Sequence, residues 1–182
     1  MRANPKRALR LALPACVAAC AAAAAAQPAT PFTAETASRL IQEVGAQETA
    51  LRVLNDSPTL EVVAAGVAGG RREWLDVGSQ LIGVAESYLK DRLMQSFSIA
   101  LQHDASAVLA RGAQGVPLSA VCAYDPFMGA ETPPTRQQFD TAVAQRERTV
   151  GAVRRADLAA AKADCLSGVA ALRSAGLKPR QP

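Results

Sequence analysis

RREWLDVGSQLIGVAESYLKDRLMQSFSIALQHDASAVLARG, residues 71–112, decides the fold. Trp74, Val77, Leu81 and Ile82 fall on one helical face, and Tyr88, Leu89, Leu93, Phe97, Ala100 and Leu101 on another. The phase changes near Gly83, which predicts two helices with a turn between them. Asp104 is placed to cap a short third helix through Val108 and Leu109, ending at Gly112. No stretch alternates apolar and polar residues for long, so nothing here reads as a strand.

The same periodicity extends in both directions. Upstream, Thr33 is a good N-cap with Glu35 in the first turn, and Leu40, Ile41, Val44, Leu51 and Leu54 recur at helical spacing. Gly45 is the weak point, where this segment divides into two short helices, and Asn55-Asp56 ends it. Ser57-Pro58 predicts a helix start, Ser as cap and Pro at the first helical position. Leu60, Val63, Ala64 and Val67 then supply a buried stripe, and Gly69-Gly70 stops it.

Downstream, Pro117 opens a short helix carrying Val121 and Cys122. Residues 125–135, DPFMGAETPPT, hold three prolines and a glycine and predict a surface loop. Thr135 with Gln138 fits a capping box, followed by Phe139, Val143, Val150 and Val153. A break near Asp157 precedes the last stripe, Leu158, Ala161, Cys165, Val169 and Leu172. The expected fold is all-α: an irregular bundle or stack of short antiparallel helix pairs over residues 33–176, with one disulfide. An extended lead-in at 27–32 precedes it and a disordered tail at 177–182 follows.

The first 26 residues read as a secretory signal peptide. Arg2, Lys6, Arg7 and Arg10 form a basic n-region, residues 11–19 an apolar core, and Ala24-Ala25-Ala26 an A-x-A cleavage site before Gln27. Two other readings stay open. Val17-Ala18-Ala19-Cys20 matches a bacterial lipobox, in which Cys20 carries the lipid. An uncleaved anchor would use the apolar run 11–26, shorter than the roughly 20 residues a span needs. The four basic residues account for the whole net charge of +4, and no acid lies among the first 26 residues. The remainder is therefore neutral, which argues against a nucleic-acid partner.

Cys122 and Cys165 are the two cysteines outside the targeting segment, and in an oxidising compartment they pair most simply with each other, the alternative being two buried free thiols. No cofactor motif and no metal-ligand spacing is present. The single histidine, His103, is followed by Asp104, and sequence neighbours do not face each other on a helix. Glu73 and Asp76 are the acidic candidates for a carboxylate hydrolase, but they alternate with basic residues as ordinary surface charge does. Trp74 is a candidate partner-binding residue with a competing role in the core. Tyr124, Phe127 and Met128 in the Pro-rich segment are candidates for a recognition loop. The sequence therefore points to a non-catalytic protein-binding module of the bacterial periplasm: an inhibitor, an immunity-type factor or an accessory subunit. The alternative is a lipid-anchored or lipid-handling envelope protein, membrane-bound only if Cys20 is lipidated. A hydrolase with paired carboxylates is the third reading.

Overall fold

The computed structural model describes residues 31–176. All regular structure among them is helical. The helices are α1 (Ala34–Val44), α2 (Ala46–Asn55), α3 (Ser57–Ala68), α4 (Arg72–Ile82), α5 (Ser87–Ala110), α6 (Leu118–Cys122), α7 (Arg136–Gly151) and α8 (Ala159–Ala175). Short 3-10 turns at Arg111–Gln114 and Ala156–Leu158 follow α5 and precede α8. The signal peptide, Cys20, most of the lead-in and the tail 177–182 lie outside the described residues. Phe32 packs partly against the core. No described helix is long and apolar enough to cross a membrane.

The caps follow local chemistry. Thr33 accepts the Thr36 N–H at 3.2 Å, and Thr135 and Gln138 complete the capping box at α7. Gly45 separates α1 from α2 at φ +89° and ψ 160°, a conformation open almost only to glycine. At α3 the cap is Asp56, not Ser57. The Asp56 carboxylate accepts the Thr59 N–H at 3.3 Å, and Ser57 and Pro58 become the first two helical residues. Asp104 interrupts α5 with extended backbone (φ −149°, ψ 84°) and accepts the Ala107 N–H at 2.9 Å, restarting the helix.

The stripes of α3, α4 and α5 form the centre of the core. Val63, Val67, Leu75, Val77, Leu81, Leu93 and Phe97 are all fully buried. Gly66 and Gly78 let these helices approach: a methyl on Gly66 would overlap the Trp74 indole, and one on Gly78 would press Val67 and Phe97. Three expected core positions differ. Val44 and Leu51 are exposed: Val44 is the last residue of α1, whose buried face runs through Ala37 and Ile41, and after the break at Gly45 the buried face of α2 runs through Thr49, Ala50 and Val53 rather than Leu51. Tyr88 is 57% exposed, since the buried face of α5 runs through Leu89, Leu93 and Phe97 and leaves its neighbour outside.

At the other end, α6 lies against α8 and α7 against α8. The disulfide joins Cys122 at the end of α6 to Cys165 in α8, with Cα atoms 5.3 Å apart and both residues fully buried. Asp164 accepts the Ser119 N–H at 3.2 Å and so caps α6 from α8. Gly168 faces the Ser119 backbone so closely that any side chain would overlap the carbonyl.

Candidate functional site

The helix α7 carries its apolar residues at 139, 143 and 150. The position that completes that spacing, 146, is an arginine. Arg146 is 4% exposed, the one formally charged residue buried to this degree among the described residues. Its Nη1 donates to the backbone carbonyls of Cys122 at 2.9 Å and Tyr124 at 2.6 Å, and its Nη2 to the Ser98 hydroxyl at 2.7 Å. These bonds tie α7 to α5 and to the segment just after the disulfide. Burial pulls the Arg146 guanidinium down to about 10, with Asp125 opposing the shift, so it remains a cation at neutral pH. Sequence reasoning missed Arg146. The signal was its place in the apolar register, since a charge in phase with a buried stripe must be buried with it or break the helix off the core.

Arg146 holds the Pro-rich loop. After Tyr124, Asp125 accepts the Phe127 N–H at 2.8 Å in an Asx turn. Gln95 on α5 donates to the Met128 carbonyl at 3.1 Å and accepts from Arg92, which also pairs with Glu61 on α3. The loop is thereby seated on α5 and α7. Tyr124 and Phe127 are half-buried, and Met128 is 54% exposed. Burial, with Asp91 and Asp125 nearby, raises the Tyr124 hydroxyl above its ordinary value, so it stays neutral.

Beside this loop runs a groove of about 500 Å³. Four glutamines, Gln102 from α5 and Gln137, Gln138 and Gln145 from α7, line it together with Phe127 and Arg146. The structure thus brings Phe127 to Arg146, a residue 19 positions further along the chain. It does not bring Trp74 there. Trp74 is 3% exposed, stacked on Gly66, and forms one wall of a second groove of about 600 Å³ with Phe32, Val62, Arg71, Glu35 and Glu73. Asp76 is turned away into an ion pair with Arg111 at 3.0 Å. His103 is exposed and makes no side-chain hydrogen bond among the described residues. No group of three or more His, Cys, Asp or Glu among the described residues is arranged to hold a metal ion. An apolar crevice lined by Leu51, Leu54, Val84 and Leu89 measures about 70 Å³, room for roughly two waters rather than an acyl chain.

The fold and groove define a disulfide-linked, all-α domain with a preformed lateral groove. The chain matches no family model, no curated protein and no solved structure.

Proposed function

We propose that this chain is an exported helical protein of the bacterial cell envelope that binds a protein partner through the groove beside residues 124–128 and performs no chemistry of its own. In this reading it acts as an inhibitor, an immunity-type factor or an accessory subunit. The observation that supports it is the groove's construction. An exposed Met128 and a half-buried Phe127 sit on a loop fixed by Arg146, Gln95 and the adjacent disulfide. A loop ordered before binding loses little conformational entropy when it docks. Export rests on residues 1–26, with Gln27 or a lipidated Cys20 as the first residue of the mature chain.

Photoreactive residues placed at Met128 and at Gln137, with exposed Arg39 on α1 as control, test the reading in the native envelope. A discrete adduct at positions 128 and 137, absent at 39 and competed by excess unlabelled protein, is expected. No adduct, or equal labelling at all three positions, would sink the proposal. The intact mass of the recovered chain, starting at Gln27 or at acylated Cys20, tests the export step in the same preparation.

A further inference from the structure

The Phe127–Arg146 groove contains one charged residue and no carboxylate. Arg146 has five N–H donors, of which three are used. All three acceptors are neutral, two carbonyls and a hydroxyl, and no Asp or Glu among the described residues lies within ion-pair distance of it. Asp125, the acidic residue that favours the cation at longer range, has one carboxylate oxygen engaged with the Phe127 N–H. A desolvated cation without a paired anion leaves a positive potential at the groove floor. Around it, the amides of Gln102 and Gln137 make no hydrogen bond within the described chain. Each offers a donor and an acceptor, the complement of a peptide group.

We propose that the groove takes an acidic segment of a protein partner, with one carboxylate on the spare N–H groups of Arg146 and the flanking peptide groups on Gln102 and Gln137. This rests on the binding function proposed above and names the chemistry of the partner. A single guanidinium among neutral amides matches a monoanionic carboxylate on a backbone. A phosphate dianion is held better by several cations, and only one lines this groove; the first turn of α7 reaches its wall, but the Gln138 N–H there is already taken by the Thr135 hydroxyl.

The probe is the blocked pentapeptide Gly-Leu-Glu-Leu-Gly, acetylated and amidated, titrated into the intact disulfide-bonded protein. Side-chain amide resonances of Gln102 and Gln137 report binding by NMR. Saturable shifts are expected, with the isosteric Gly-Leu-Gln-Leu-Gly peptide binding about tenfold more weakly. Gln137→Glu puts a carboxylate on the groove wall near the N-terminus of α7, where the helix tolerates it, and should weaken the Glu peptide by about tenfold. Equal binding of the two peptides, no shift with either, unchanged affinity in Gln137→Glu, or equal shifts from sodium acetate would each overturn the inference. If the acidic peptide fails while positions 128 and 137 still crosslink specifically to a partner, the groove keeps its function and this chemistry alone is wrong.

Discussion

Helices α1–α4 are joined by connections of one to three residues, and each contacts the next in the chain. Their cohesion is aliphatic: Ala37, Ile41, Val53, Leu60, Val63 and Val67 bury against one another and against α4 and α5. Helices α6–α8 are built differently. At five residues α6 is too short to persist alone. It is held by bonds from residues far along the chain: the Cys165 disulfide, the Asp164 cap, the close approach of Gly168, and Arg146 on the Cys122 carbonyl. The first region is an array of locally specified helices meeting through matched apolar faces. The second is tied together by a few particular groups. Substitutions should therefore be graded in the first region and abrupt in the second, where the groove lies.

The largest effect is expected from the disulfide. Cys122→Ala with Cys165→Ala releases a loop with a sequence separation of 43 and should lower stability by about 4 kcal/mol through denatured-chain entropy. Urea unfolding measures the loss. Hydrogen exchange should show α6 and the start of α8 opening before α3 and α4. Uniform loss of protection across both regions would erase the contrast.

Next comes a matched pair of glycine substitutions. Gly168→Ala drives a methyl into the Ser119 backbone and should cost about 3 kcal/mol, because neither helix can yield without straining the disulfide between them. Gly83 lies between α4 and α5 at φ −67°, with open space where a Cβ would stand. Gly83→Ala should stabilise by about 0.5 kcal/mol by restricting the unfolded chain. Thermal melts of the two variants give opposite signs if the comparison is right.

The smallest effect concerns the surface pair between α7 and α8. A side-chain hydrogen bond from Arg173, then its charge, holds the Glu147 carboxyl below its ordinary value of 4.5. A depressed carboxyl stabilises the fold fully above the unfolded value, and that contribution is lost as pH falls through the lower folded one. Glu147→Gln should thus be slightly less stable than the parent at neutral pH, and the difference should vanish on acidification from about 4.5 downward. Denaturation series over that range test it. A gap that persists in acid would mean the side chain acts by packing rather than by charge.

Most of the fold was legible because most of it is local. The 63, 64 and 67 stripe, the turn at Gly83, the Asp104 cap and the Thr135 box all depend on residues within one or two helical turns, and all stand in the structure. The cap at α3 was misplaced by one residue because Asp56 and Ser57 are both good caps, and spacing to Thr59 chose between them. The groove was half legible. Its loop was visible in Pro126, Pro133 and Pro134, but the wall of glutamines looked like ordinary polar surface, and Arg146 like one charge among Arg148 and Glu147.

By itself the sequence determined the helical class and the helix order, and made Cys122 with Cys165 the simplest pairing, since periodicity and caps need no knowledge of packing. Only the tertiary structure decided which side chains line one groove, that Trp74 is core, and that Arg146 is buried beneath the loop. Helical spacing sets which residues share a face. What that face meets depends on elements far away in the chain, and contacts of that range leave no period to read.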